Sequence, residues 1–372
     1  MFRHTIPIGR ILGIPIGLDY SWFLIFALLT WSLATGYYPE EFRGWPAGQY
    51  WFIGALTAIL MFACVVLHEL GHSVVALHYR VPVRSITLFL FGGVAQIAAE
   101  PPNARAELLI AIAGPIVSFL LAVAFAGLQA AVAAAGPVFA LAKYLAYING
   151  MLALFNLIPG FPLDGGRIFR AIVWAFTKNF RSATLIAANL GRFIAFLFIA
   201  SGVWQVFGGH LANGIWIIFI GWFLDSAASA QVQQQMVQGL LVGHKVSEAM
   251  TRDCATIPGD MSVQHVVDEF VLGAGRRSFV VARDGEVDGL LTLHSIKQIP
   301  KASWPATPAA QAMIPLEHLH TIPPDAELWT ALEKMDRDGV NQLPVVSGKN
   351  LVGLLTRDSI ISYLRALQEF TT

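Results

Sequence analysis

The chain has 372 residues, of which 56% are hydrophobic and 13% charged, and its formal net charge is zero. An ordinary globular chain carries roughly 25% charged residues, so this composition excludes a wholly soluble protein. A neutral balance without clustered Lys and Arg also leaves no footprint for nucleic-acid binding.

The charges divide unevenly: residues 1–230 hold 12 basic and 8 acidic side chains, residues 231–372 hold 12 and 16. That split reads as a membrane domain, 1–232, followed by a soluble part. Met1 to Gly17 is punctuated by Pro and Gly without a signal-peptide layout, so the first apolar run reads as a retained helix. Runs of about 20 apolar residues, the length a bilayer crossing needs, fall at 18–36, 50–78, 106–134, 138–158, 188–207 and 211–231. The expected architecture is therefore a multi-pass α-helical membrane domain of about six spans. Between the second and third runs, Arg84–Ala98 does not look helical. Ile86–Phe91 and Val94–Ile97 read as two short strands about a Gly92-Gly93 turn, a membrane-associated β-hairpin. Asn156-Leu-Ile-Pro-Gly-Phe-Pro-Leu-Asp-Gly-Gly166 breaks the fourth run with two Pro and three Gly. Irregular backbone persists at membrane depth only when packed in protein or lining a wet cavity.

Arg3, Arg10, Arg80, Arg84, Arg105, Arg167, Arg170, Lys178 and Arg181 share the loops of one side, with Arg43 on the other. The positive-inside rule then places the N-terminus, the hairpin and the C-terminal part on the cytoplasmic face of the cell membrane. From residue 244 the sequence repeats itself. His244–Met250 matches Pro308–Met313, Thr256-Ile-Pro258 matches Thr321-Ile-Pro323, and Gly289-Leu-Leu-Thr292 matches Gly353-Leu-Leu-Thr356. Two β-α-β units, 244–301 and 308–368, would bury each other's sheet faces. Cys64 and Cys254 fall in different domains and imply no disulfide framework.

The chemistry concentrates in the second apolar run. His68-Glu69-Leu70-Gly71-His72 sets two imidazoles at i and i+4, on one helical face and close enough to share a metal. Glu69 between them can reach a water on that metal and take its proton. In a soluble helix this spacing is often chance. Here Ile59–Leu67 and Val74–Leu77 flank it, and ionisable groups at membrane depth cost about 2.5–3.5 kcal/mol each on insertion scales. Three in one turn, in metal spacing, mark a functional site. A catalytic zinc takes three protein ligands, and the third is expected to be a His or carboxylate elsewhere. Asp164 is the only carboxylate between Glu107 and Asp225, beside Gly165 and Gly166, whose freedom suits a tight aim. Its plainer role is an Asx-turn or a helix N-cap. His78, ten residues past His68, points to another side of the helix and reads as a headgroup marker.

The combination of His68-Glu-Leu-Gly-His72 with Asn156…Pro159…Pro162-Leu-Asp-Gly-Gly-Arg167 resembles the site-2 protease family of intramembrane metalloproteases. It is most similar to the bacterial and archaeal branch with a C-terminal pair of cystathionine-β-synthase (CBS) domains. The likeness extends to Gly13-Ile-Pro-Ile-Gly17, Phe91-Gly-Gly93 and Gly114-Pro115. It implies one zinc held by His68, His72 and Asp164, with Glu69 as catalytic base. It also implies that Asn156 helps hold the substrate backbone or its oxyanion, the plainer role being an interhelical hydrogen bond. The hairpin, with Gly92 and Gly93 at its turn, would receive unwound substrate as an added strand. The implied partner is a membrane protein cleaved within a transmembrane helix, and the CBS pair would serve regulation or assembly, as a homodimer or higher oligomer. CBS repeats that bind adenine nucleotides commonly end Gly-x-x-Thr-x-x-Asp. Ser295 and Ser359 stand where that Asp would be and Asp358 sits one place early, which weighs against an adenine nucleotide here. Thr292 and Thr356 then read first as strand-end caps and second as ligand contacts.

A CBS-regulated transporter or channel is the competing reading. It calls for polar residues spread along a pore or a repeated membrane half. The intramembrane polar groups converge on one place instead. A silent membrane scaffold is a third reading, set against the intact histidines and Glu69.

Overall fold

The computed structural model describes residues 5–90, 92–97, 100–132, 136–252, 255–283, 286–348 and 350–371. Arg3, Phe91, Ala98 and Cys254 of the sequence reading lie outside these. The chain forms two compact units, divided between Gln233 and Gln234.

The first unit opens with two strands in the Pro- and Gly-punctuated stretch before the first apolar run. β1 (Thr5–Ile11) and β2 (Ile14–Asp19) turn through Leu12 and Gly13, whose φ values of 52° and 79° suit a two-residue hairpin. β2 pairs in parallel with β3 (Val83–Phe89), and β3 pairs antiparallel with β4 (Gly92–Ile97). The sheet order is β1-β2-β3-β4, so the expected hairpin is half of a larger sheet. β3 has a strand on both sides, and among the described residues no further strand pairs with β4. Ile14, Ile16 and Ile86 of the sheet pack on Leu70 of the His-Glu-x-x-His turn, which seats the sheet beside that turn.

Helix α1 (Ser21–Ser32) continues through a π-turn, Leu33–Tyr37, into the short α2 (Tyr38–Glu41). After them come α3 (Ala47–His78), α4 (Ala104–Ala131), α5 (Pro137–Asn156), α6 (Asp164–Thr177), α7 (Phe180–Phe207) and α8 (Leu211–Leu241). Among the described residues, five of these (α3, α4, α5, α7 and α8) are long and apolar enough to cross a membrane. The six expected spans map onto those five and the broken α1–α2 helix, whose π-turn leaves an α segment of only 12 residues. Asn103 caps α4 by accepting from the Ala106 amide at 2.9 Å, and Asn179 caps α7 through Ser182 at 3.0 Å. Such caps contribute about 1 kcal/mol each. The amphipathic α6 starts at Asp164 itself, and its N-cap position is Leu163, so Asp164 is not a side-chain cap.

The second unit holds two sheets: β5 (Thr256–Pro258), β6 (Ser278–Arg283), β7 (Glu286–Thr292) and β8 (Ile314–Pro315), then β9 (Gln342–Ser347) with β10 (Asn350–Thr356). Each repeat has its own core, around Phe279 and Leu291 in one and Leu343 and Leu355 in the other. Val280 and Leu290 of the first repeat meet Leu354 of the second, so the sheets close on each other as expected. The Thr292 hydroxyl accepts from the Ser295 amide at 3.1 Å, and that of Thr356 accepts from Ser359 at 3.0 Å. Both hydroxyls are thus engaged as helix-start caps.

Where this unit begins, the Glu248 carboxylate accepts from the Tyr363 hydroxyl at 2.6 Å and lies 2.7 Å from His244 Nδ1. The Tyr363 and His244 bonds hold the carboxyl down at about 2, from an ordinary 4.5. Burial and the neighbouring carboxylate push Tyr363 up to about 12. A carboxyl depressed in the folded state stabilises above its unfolded pKa, and that contribution fades as pH falls through the folded value. Tyr363→Phe should therefore lower the melting temperature of the second unit slightly at neutral pH. The gap to wild type should close between about pH 4.5 and about pH 2. A pH series of melting curves on the intact protein checks this, and a gap that widens on acidification would refute it.

Candidate metal centre

His68 and His72 sit one turn apart on α3 and are each 4% exposed. Asp164 reaches them from the first turn of α6. Its Oδ2 lies 3.1 Å from His68 Nε2 and 3.2 Å from His72 Nε2, and the two Nε2 atoms are 3.2 Å apart. Three ligand-type atoms from two distant parts of the chain thus form one near-equilateral triangle.

The opposite nitrogens are held from behind by one face of α4. His72 Nδ1 donates to the Ile110 carbonyl at 2.7 Å. A carbonyl only accepts, so the proton of neutral His72 is on Nδ1 and its Nε2 lone pair faces the triangle. His68 Nδ1 lies 2.8 Å from the hydroxyl of Ser118, a residue with no exposed surface. Ser118 can accept there, which turns the His68 Nε2 lone pair inward too. Gly114 lies between them on the same face, four residues from each. A Cβ there would stand 2.1 Å from His72 Nε2 and 2.6 Å from His68 Nε2, so only glycine leaves the imidazoles room.

With both Nε2 lone pairs turned inward, three acceptors face one another without a proton between them, and a cation resolves the conflict. Tetrahedral zinc with bonds of about 2.0 Å would space its donors about 3.3 Å apart, close to the triangle's edges. Two imidazoles and a carboxylate are also a donor set that zinc favours, and each imidazole has the outer hydrogen-bond partner typical of a metal ligand. The residues fit the ion.

The triangle opens on a cavity of about 360 Å³ in the first unit. His68, Glu69, Gly92, Gly93, Asn156 and Asp164 all line it, with Phe155, Trp216, Phe219 and Phe223 forming an aromatic wall. Every expected site residue is therefore brought to one place. His78 is not: it ends α3, exposed, with its ring against Tyr79. One contact had no counterpart in the sequence reading. Glu69 Oε2 accepts from the Ala95 amide of β4 at 3.1 Å. A Cβ on Gly93 would come within 2.9 Å of Glu69 Cγ, so strand and carboxylate are closely packed. The Ile110 carbonyl, Gly114 and Ser118 were also missed as supports. They stand at i, i+4 and i+8 on one helix face, but a backbone carbonyl, a glycine and a serine carry no signal of this role by residue type.

The profile of Peptidase family M50 matches residues 56–134 and 126–200, and that of the CBS domain matches 246–300 and 310–366. Rip3 of Mycobacterium tuberculosis, a protein assigned as a zinc metalloprotease, is 37% identical over 363 residues. The match covers 96% of this chain and 92% of that one. This chain belongs to peptidase family M50.

The M50 assignment makes the protein a metalloprotease, carried in a membrane by apolar helices and followed by a CBS pair. A similarly assigned protein of Synechocystis, sll0528, is 36% identical across 98% of this chain and 96% of its own. Among solved structures, the Site-2 Protease from Methanocaldococcus jannaschii is 33% identical with a TM-score of 0.44. That match covers 62% of this chain and 95% of the solved one.

The close approach at Gly114 gives a test within the M50 unit. Gly114→Ala should abolish metal retention in purified protein, because the methyl group claims the space beside both Nε2 atoms. Helical content should be unchanged, since Ala is a better helix former than Gly. Metal analysis with circular dichroism decides it, and a normally loaded Gly114→Ala protein would count against the geometry.

Proposed function

We propose that the protein is an intramembrane zinc endopeptidase that hydrolyses peptide bonds within transmembrane segments of other membrane proteins. The observation that carries this reading is the triangle of His68, His72 and Asp164 opening on the cavity beside Glu69. His68, His72 and Asp164 hold the ion. Bound zinc supplies Lewis acidity, bringing the pKa of a water towards about 7 and polarising a carbonyl.

The remaining steps belong to side chains and backbone. Glu69 takes the proton of the attacking water as its oxygen bonds to the scissile carbonyl carbon. As the C–N bond breaks, Glu69 returns that proton to the leaving nitrogen. Asn156, at the end of α5 on the cavity wall, supplies a side-chain amide to the substrate backbone or its oxyanion. The aromatic wall keeps lipid and bulk water away from the reacting bond.

A helical substrate must unwind, because its carbonyls are otherwise tied in i→i−4 bonds. Unwound backbone in lipid needs replacement hydrogen bonds, and a free strand edge supplies them. Of the two candidate strands only β4 has such an edge. Ala95 turns its amide away from β3 towards Glu69, and Gly93, two residues away, faces the same side. A substrate strand added at these positions lies directly beside the base.

The positive-inside pattern supports a cytoplasmic N-terminus and CBS pair. Regulation or homodimer assembly is the role that suits a CBS pair of this kind. Adenine nucleotide is not favoured: the ribose-binding Asp is replaced by Ser295 and Ser359, and both threonines are occupied as caps.

Glu69→Gln should keep zinc yet lose about 10²–10⁴-fold in turnover, the usual worth of a general base. His68→Ala and His72→Ala should lose both. Asp164→Asn should weaken zinc binding; normal zinc content and turnover would remove Asp164 from the ligand set. Metal analysis and proteolysis in reconstituted membranes provide the readouts, and full activity in Glu69→Gln would end its role as base. A comparison of membrane proteomes with and without active enzyme would identify substrates by new soluble fragments.

Strand docking makes its own demand. Ala95→Pro deletes the outward donor and should abolish cleavage with zinc retained. Ile97→Val should matter little. Equal tolerance of both changes, in folded and loaded enzyme, would exclude docking on β4.

A further inference from the structure

Behind the ligand triangle lies a buried cluster of three charges. Glu107, in the first turn of α4, has no exposed side-chain surface. Its carboxylate accepts from Arg167 Nε at 3.2 Å and from Arg170 Nη2, both on α6. Arg170 has a second hold, its guanidinium lying 5.0 Å and 4.7 Å from the ring centroids of Phe161 and Phe180. Arg167 stands three residues after Asp164, one turn along the same face of the same helix. The fields of Asp164 and Glu69 both reach its guanidinium.

This arrangement poses a competition. An arginine at i+3 from a carboxylate on a helix is placed to pair with it, and the carboxylate here is the proposed metal ligand. The alternative acceptor for Arg167 is Glu107. As long as Glu107 is ionised and in place, the guanidinium is held on the α4 side and Asp164 Oδ2 stays with the two imidazoles. We infer that Glu107 is a positioning residue of the metal centre: it draws Arg167 off Asp164 and keeps that carboxylate available to the ion.

The same carboxylate sits three residues before Ile110, whose carbonyl fixes the tautomer of His72. One buried acid therefore braces both the helix that supports the histidines and the helix that bears the aspartate. A buried ion pair seldom repays its own desolvation, so retaining one beside a metal site is better explained by position than by stability. The inference rests on the proposed reading of His68, His72 and Asp164 as zinc ligands.

The test is a double-mutant cycle on the full-length protein, with zinc alone as the probe and a competing chelator to read affinity. Glu107→Gln should weaken zinc binding by about tenfold or more, the scale seen for outer partners of metal ligands. Arg167→Gln alone should change it less than about threefold. The double variant Glu107→Gln/Arg167→Gln should return to within a few fold of wild type, because the competing cation has gone.

If Glu107 were only a brace between α4 and α6, both single variants would lose zinc together and the double variant would be no better. That outcome, or wild-type affinity in Glu107→Gln, overturns the inference. Should Glu107→Gln fail to fold, Glu107→Asp carries the test. It keeps the charge but retreats by one methylene, and its smaller loss should again be reversed by Arg167→Gln. His68→Ala is the control for the underlying reading. If it binds zinc like wild type, the ligand assignment has failed, and the cycle is then read as evidence about a different site.

Discussion

Three electron pairs aimed at one point, buried among apolar helices, are the constraint on which the rest of the first unit depends. Left to themselves, His68 Nε2, His72 Nε2 and Asp164 Oδ2 would turn apart, since each lacks a donor among the other two. They stay because each is held from outside the triangle. The Ile110 carbonyl and Ser118 hydroxyl grip the far nitrogens of the imidazoles. Gly160, Gly166 and Gly191 let the loop before α6 pack backbone against backbone, a Cβ on Gly191 falling 2.4 Å from the Phe161 carbonyl. A buried polar atom without a partner costs about 1–3 kcal/mol. A site of this kind therefore exists only where the scaffold overdetermines it.

The regular helices cannot by themselves do the chemistry proposed for them. A membrane helix has spent its main-chain donors and acceptors internally and offers a substrate only side chains. The two irregular elements supply what is missing. β4 brings a strand edge with no further strand beside it among the described residues, and the Asn156–Asp164 loop brings a carboxylate at the start of a helix. Glu69 touches the first and lies next to the second, and its bond to the Ala95 amide ties the base to the strand edge. An extended chain paired with β4 would compete for that amide, so docking and the freeing of the carboxylate are geometrically one event.

Much of this was legible in the sequence because the informative residues are polar groups in apolar runs. His68, Glu69 and His72 stand out by spacing. Asp164 stands out by the emptiness of acid around it, and the hairpin by two short strand-like runs, although Gly92 and Gly93 lie within β4, paired with Phe89 and Leu88, and not at its turn. What escaped was carried by groups that a sequence does not display. The Ile110 carbonyl is backbone, Gly114 acts by lacking atoms, and Ser118 looks like any small residue in a helix. β1 and β2 were hidden by Pro7 and Pro15, which read as loop until the parallel pairing of β2 with β3 places them. The π-turn at Leu33–Tyr37 divides a run that hydropathy alone treats as one helix. Thr292 and Thr356 were ambiguous by type, and their hydrogen bonds show the cap role that their sequence positions allow.

The two histidines and the aspartate are separated by more than ninety residues of chain, with α4 threaded between them in sequence and behind them in space. No fragment holding only one of these elements can make the triangle. Ion binding is therefore coupled to the packing of α3, α4 and α6 together, and an ion that binds only the packed state stabilises that packing by mass action. The second unit answers to different forces. Its two core clusters are built from Val, Leu, Ile, Ala, Met and Phe side chains. Its stability follows from apolar burial, which is insensitive to chelation. Removing the metal should thus loosen the first unit at the site while leaving the CBS cores intact, because no residue of the ligand triangle belongs to either core cluster.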